Sequence, residues 1–119
     1  MRAKDQLGRE GEARAAAYLT DKGYEVVDRN WHGPGGELDI IAVRGQEIAI
    51  VEVKTRRTIA FGDPLSAVDE RKLNRMWRLG KLWAQAHKEL ASHRTLALHV
   101  IGIVGTGSYA DLVHLADVR

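Results

Sequence analysis

The stretch Gly36-Glu37-Leu38-Asp39-Ile40-Ile41-Ala42-Val43-Arg44-Gly45-Gln46-Glu47-Ile48-Ala49-Ile50-Val51-Glu52-Val53-Lys54 constrains this chain more than any other. Two runs rich in β-branched and aliphatic residues flank Arg44-Gly45-Gln46-Glu47. Such a pattern predicts a β-hairpin, with glycine supplying the positive φ that a type II′ turn needs at its first central position. With Gly45 and Gln46 as the loop, Arg44 faces Glu47, Asp39 falls opposite Glu52 and Glu37 falls opposite Lys54. Alternation along each strand then sets these four polar side chains on one face, with opposed Cβ atoms about 5 Å apart. A loop one residue longer, without a bulge, would send them to opposite faces.

Three carboxylates beside one lysine repel one another, and burial disfavours every ionised form unless a cation joins them. A divalent metal resolves that conflict. Mg²⁺ takes one or two carboxylates plus waters and substrate phosphate, and Asp39 and Glu52 with a backbone carbonyl near Val53 suit it. The competing reading is an amphipathic hairpin whose polar face meets solvent. The apolar residues Ala49, Val51 and Val53, together with Ile48 and Ile50, speak against it, because they make a strand buried on both sides for much of its length.

At these residues the chain resembles a known family. Gly36-Glu37-Leu38-Asp39-Ile40-Ile41-Ala42, followed by Val51-Glu52-Val53-Lys54-Thr55-Arg56, looks like the signature of the YraN-like uncharacterised bacterial proteins. These are similar to archaeal Holliday junction resolvases, of the restriction-endonuclease-like PD-(D/E)XK group. The resemblance runs from Gly8 to about Val104, and the spaced acid followed by Glu-x-Lys is its most specific part. It implies metal-binding acids at Asp39 and Glu52, a catalytic lysine at Lys54, and a further acid, Glu12, from the first helix. Glu37 matches a common family residue. The family also tends to carry Arg-Phe-Asp-Val where this chain has Ala97-Leu98-His99-Val100, so His99 stands at the place of an aspartate.

The length, 119 residues, suits one domain, so residues 1–119 are expected to form a single nuclease-like unit. A composition of 45% hydrophobic and 29% charged residues belongs to globular chains rather than disordered ones. The formal net charge is only +2, so the distribution of charge, not its sum, must carry any argument for nucleic acid. There is no cysteine, which excludes disulfides and thiolate metal sites. Neither a signal peptide nor a run of ~20 apolar residues is found, and a cytoplasmic location away from the membrane is expected.

Along the chain, Leu7, Gly11, Ala15, Tyr18 and Leu19 predict a helix over about 5–22, stopped by Gly23. Glu12 lies at the edge of its apolar stripe, where it is either a surface glutamate or an acid leaning over the hairpin. A strand is predicted over 24–29 and a loop over 30–36, whose Trp31 caps the core or touches a base. Beyond Lys54, Arg56 and Arg57 sit where a phosphate would need countercharge. Phe61-Gly62-Asp63-Pro64 reads as a turn. A second helix over about 69–87 buries Leu73, Met76, Trp77, Gly80, Trp83 and Ala84 and exposes a basic face of Arg71, Arg75, Arg78 and Lys81, suited to salt-sensitive phosphate binding. A second hairpin, 95–104 with 109–116 around Gly105-Thr106-Gly107-Ser108, sets His99 opposite His114. That pair is structural, or part of a zinc site lacking its other ligands.

The order of elements predicts an α/β domain with a mixed central sheet flanked by helices, in agreement with the restriction-endonuclease-like fold. The expected function is a Mg²⁺- or Mn²⁺-dependent endonuclease acting on DNA, branched or damaged, with Asp39 and Glu52 on the metal, Lys54 orienting water and Glu12 completing the acidic shell. A homodimer would suit a branched substrate. The alternative is a nucleic-acid-binding module with the same fold and no turnover, recruiting a partner.

Overall fold

The computed structural model describes residues 5–60, 62–106 and 110–119. Phe61 of the expected turn, and Gly107, Ser108 and Tyr109 of the second hairpin, lie outside them. The elements are α1 (Gln6–Asp21), β1 (Glu25–Gly33), β2 (Gly36–Arg44), β3 (Glu47–Arg56), a 3₁₀ turn (Pro64–Ala67), α2 (Glu70–Ala86), a short α3 (Lys88–Ala91), β4 (Thr95–Val104) and β5 (Asp111–Leu115). The strands form one sheet in sequence order, β1-β2-β3-β4-β5. Each neighbour is antiparallel except β3 and β4, which are parallel because the crossover through α2 returns the chain to the same end. This five-stranded mixed sheet with flanking helices has the predicted architecture and is compatible with a nuclease-like fold. Among the described residues no helix is long and apolar enough to cross a membrane.

The two large helices cover opposite faces of the sheet. Ala15 and Leu19 of α1 pack with Ile40, Ala42, Ala49 and Val51. Met76, Leu79 and Trp83 of α2 pack with Ile41, Val43, Ile48 and Ile50. Odd and even positions of β2 and β3 therefore part to the two sides, as a doubly covered sheet requires. Gly11 lets α1 approach β3, since a Cβ there would overlap Thr55. Trp77, Trp83 and Trp31 all pack in the α2-side cluster, and the Trp83 indole N–H donates to Asp28 Oδ2 at 2.9 Å. Each of the two large helices starts on an aspartate: Asp5 accepts from the Gly8 N–H at 2.7 Å, Asp69 from the Lys72 N–H at 2.9 Å.

The first hairpin has the predicted register. Arg44 pairs with Glu47 and the ladder runs on to Ile40 with Val51. Gly45 has φ +58° while Gln46 is not among the positive-φ residues, the signs of a type II′ turn.

Two boundaries differ from expectation. β1 does not stop at Arg29 but continues to Gly33, because Trp31, His32 and Gly33 pair with Leu38, Glu37 and Gly36. Pairing overrides the loop-like composition there, and the turn shrinks to Pro34 and Gly35. In the second hairpin His114 lies opposite Ile101, not His99, because Val104 pairs with Asp111 and the connection is two residues longer. A slip of two keeps every side chain on its face, so the two imidazoles still stack, 5.0 Å apart.

Candidate functional site

In a two-residue hairpin the closing pair is hydrogen-bonded, and so is every second pair beyond it: Arg44/Glu47, Ala42/Ala49 and Ile40/Val51. The next such pair would be Leu38/Val53. The ladder ends before it. The Val53 N–H donates instead to Asp39 Oδ2 at 2.9 Å, so a side-chain carboxylate takes the place of a main-chain carbonyl where β2 leaves β3. A charge-assisted bond of this kind fixes the aspartate at the mouth of the gap.

The cause lies on β1. Asn30 has φ +52°, a left-handed residue inside a strand. Its neighbours Arg29 and Trp31 pair with Ile40 and Leu38, yet Ile40 packs on the α1 side and Leu38 on the α2 side. Strict alternation is thus broken around Asp39. The expected single face for Glu37, Asp39, Glu52 and Lys54 does not extend to Glu37, which instead lies opposite His32, with His32 Nε2 3.2 Å from Glu37 Oε2.

Asp39 and Glu52 are buried, 6% and 8% exposed. Burial first, and then the charge of Asp39, raises the Glu52 carboxyl above the usual carboxylate range. Lys72 and Lys54 act the other way. The Lys72 ammonium lies 2.7 Å from Glu52 Oε2. Lys54 is lowered from its ordinary value, chiefly by burial and then by the nearby Lys72 charge, with Glu52 opposing. The site is therefore a pair of carboxylates facing a pair of ammonium groups.

Lys72 has no part in the sequence-based site, but the sequence carries its signal. It precedes Met76 by four residues, Leu79 by seven and Trp83 by eleven, so it lies on the buried stripe of α2 and not among the exposed arginines. It also stands in the first helical turn, where the helix dipole disfavours a cation by about 0.3–1 kcal/mol. A lysine so placed needs a carboxylate, and Glu52 supplies it.

Glu12 is buried, 2% exposed, and its Oε1 accepts from Asn30 Nδ2 at 2.7 Å with Arg29 Nη2 at 3.5 Å. It is no ordinary surface glutamate. It belongs to α1, on the other side of the sheet from Lys72, and ties that helix to the left-handed residue that breaks the alternation. Among the predicted phosphate contacts, Arg56 ends β3 and Arg57 is exposed beyond it. Arg71, Arg75 and Arg78 are exposed on α2, the helix that carries Lys72, and Arg78 Nη1 also donates to the Pro34 carbonyl at 2.9 Å. Among the described residues, no group of three or more His, Cys, Asp or Glu side chains is arranged to hold a metal ion. Asp39 and Glu52 are two buried carboxylates.

His99 is far from that pair in role. It is fully buried on the α1 side, its Nε2 2.9 Å from Glu47 Oε2 and its Nδ1 2.7 Å from His114 Nε2. His114 Nδ1 lies 3.1 Å from the Tyr18 hydroxyl, and the Tyr24 hydroxyl donates to Glu47 Oε1 at 3.1 Å. One assignment of protons satisfies every atom: Tyr18 donates to His114, His114 to His99, and His99 to Glu47. Both rings are neutral in it. Burial, then His99, holds His114 below the ordinary imidazole value, with Glu47 opposing. The unfolded chain protonates His114 as pH falls through about 6.5, while the folded chain does so only at lower pH. The stabilisation is therefore full above that value and declines below it, by at most about 1.4 kcal/mol per pH unit. Urea denaturation of wild type and His114→Phe between pH 7.5 and 5 checks this. Their stability difference should shrink as pH falls, and a pH-independent difference contradicts it.

The comparisons place this geometry in a family. The profile of the uncharacterised protein family UPF0102 matches residues 11–103, which include Glu12, Asp39, Glu52, Lys54 and Lys72. The chain is 45% identical over 119 residues to a UPF0102 protein of Paenarthrobacter aurescens, covering 99% of this chain and 97% of the relative. It is 44% identical over 119 residues to one from Beutenbergia cavernae, covering 99% of both. A UPF0102 protein of Phocaeicola vulgatus is 47% identical over 76 residues, covering 64% of this chain and 63% of the relative. The protein belongs to the UPF0102 family, the YraN-like family that its hairpin motif resembles.

Proposed function

We propose that the protein is a divalent-metal-dependent endonuclease that hydrolyses phosphodiester bonds in DNA. The observation that carries this reading is the Asp39 carboxylate at the point where β2 parts from β3, beside buried Glu52 and two lysines. Two buried carboxylates, of which Asp39 adds to the rise that burial gives the Glu52 carboxyl, form a donor set that a hard cation relieves. Mg²⁺ or Mn²⁺, completed by water and phosphate oxygens, suits two carboxylates. A closed zinc site does not suit them, nor does the His99–His114 pair, whose facing nitrogens share a hydrogen bond. When bound, the cation supplies Lewis-acid polarisation of the phosphate and lowers the pKa of water.

The chain's own residues do the rest. Asp39 and Glu52 hold the cation. Lys54, whose pKa is held below its ordinary value, donates to the attacking water and orients it. Arg71, Arg75 and Arg78 give the substrate backbone a basic row on the α2 side, and Arg56 and Arg57 extend it beyond Lys54. Glu12 supports the strand break through Asn30.

A second reading, a binding module without turnover, draws on the Lys72–Glu52 pair, since a carboxylate already neutralised can dispense with metal. A cleavage screen over linear, flapped and four-way DNA with Mg²⁺ and Mn²⁺, with Glu52→Ala as control, separates the two. Cleavage by wild type and none by the variant supports the enzyme. Binding that weakens when Arg71, Arg75 and Arg78 are neutralised, without cleavage of any form, supports the module.

A further inference from the structure

The acidic pair already has a cation, and it is covalently tethered. Lys72 Nζ lies 2.7 Å from Glu52 Oε2, with only 19% of the lysine side chain and 11% of the glutamate side chain exposed. Its backbone is not free to drift, since the Lys72 N–H is bonded to the Asp69 cap at 2.9 Å. Met76, Leu79 and Trp83, on the same stripe of α2, are buried and anchor the helix against β2 and β3. The Lys72 side chain therefore springs from a rigid element beside Glu52, not from a mobile loop, and its four-carbon stem is what can turn.

A divalent ion between Asp39 and Glu52 would meet that ammonium at close range. Like charges in a partly dry site repel strongly, and Lys72 cannot remain on Glu52 Oε2 while a second cation uses the same oxygen. We infer that Lys72 is the built-in countercation of the Asp39–Glu52 pair, and that it exchanges with the divalent metal and so sets the affinity of the site for it. The inference rests on the reading that Asp39 and Glu52 hold the ion. It assigns Lys72 a positioning role: with no metal it pairs with Glu52 and holds that side chain in place, and on loading its ammonium leaves the carboxylate and turns toward the phosphate that the arginines of α2 attract. The lysine thereby links loading of the metal to arrival of the substrate, since a phosphate gives the displaced ammonium a new anion.

Calorimetric titration of the full chain with Mg²⁺, without DNA, tests this in wild type, Lys72→Met, Lys72→Arg and Asp39→Asn. Methionine keeps most of the length and burial of the lysine stem without its charge. Lys72→Met should bind Mg²⁺ about tenfold more tightly or better, as removal of a unit charge a few ångströms from the ion demands. Lys72→Arg should stay within about threefold of wild type, because the charge is retained. A purely structural lysine would give the opposite order, with Lys72→Met binding no better than wild type. Lys72→Gln repeats the test should methionine not fold. Mg²⁺ binding that requires Asp39 but is unchanged or weakened in the uncharged variants overturns the inference and leaves the metal site standing. Binding that is absent, or indifferent to Asp39→Asn, overturns both.

Discussion

Glu52→Gln is expected to lower Mg²⁺-dependent cleavage by about 10²-fold or more, the scale of losing one group that stabilises transition-state charge in a water-poor site. The reason is charge, not shape. Glutamine fills the same volume, but it leaves Asp39 as the one anionic donor of the pair and deprives Lys72 of its countercharge. The fold should survive at reduced stability, because glutamine keeps the packing but leaves the mostly buried Lys72 ammonium without its countercharge. A cooperative thermal melt, at a lower midpoint than that of wild type, together with loss of product on a gel, is the expected pair of results. Cleavage within a few-fold of wild type would remove Glu52 from the chemistry.

The second large effect is on stability and lies on the other face of the sheet. Glu47 accepts from both His99, fully buried, and Tyr24, 4% exposed. Glu47→Ala strands both donors, at about 1–3 kcal/mol each for a buried group left unpaired, so a loss of about 2–6 kcal/mol is expected. Urea denaturation should show a lower midpoint with an unchanged slope. Glu47→Gln, which keeps a carbonyl acceptor, should recover part of it. A loss below about 0.5 kcal/mol would mean that the polar chain does not hold the sheet to α1. Glu47 and Glu52 are five residues apart on β3, roughly 17 Å, so cleavage per folded molecule should not change.

These two carboxylates also mark what the sequence reveals and what it hides. The hairpin register follows from Gly45 alone, because a turn is a local object whose φ requirement one residue meets. The gap at Asp39 does not, since it depends on Asn30 in a neighbouring strand adopting a left-handed conformation that asparagine tolerates but does not announce. Lys72 is legible as a lysine on the apolar stripe of its helix, one residue before Leu73 and four before Met76. The meeting of His99 and His114 was legible in kind but not in register, for the length of a loop is not encoded by its glycines. The share of Glu47 in that chain arises only when β4 comes to lie parallel beside β3, a pairing that links residues about fifty positions apart.

The family position that His99 occupies takes on a physical meaning here. A side chain there faces α1 and the start of β3, away from Glu52 and Lys54. His99 thus belongs to the polar chain that joins Tyr18, His114 and Glu47.

The central claim is that two carboxylates, one of them set in a broken ladder, hold a divalent cation. Electron paramagnetic resonance of Mn²⁺ titrated into wild type and into Asp39→Asn/Glu52→Gln tests it most directly. The account predicts a saturable site in wild type that the double variant lacks while remaining folded. Equal binding by the two proteins, or no binding by wild type, would contradict it.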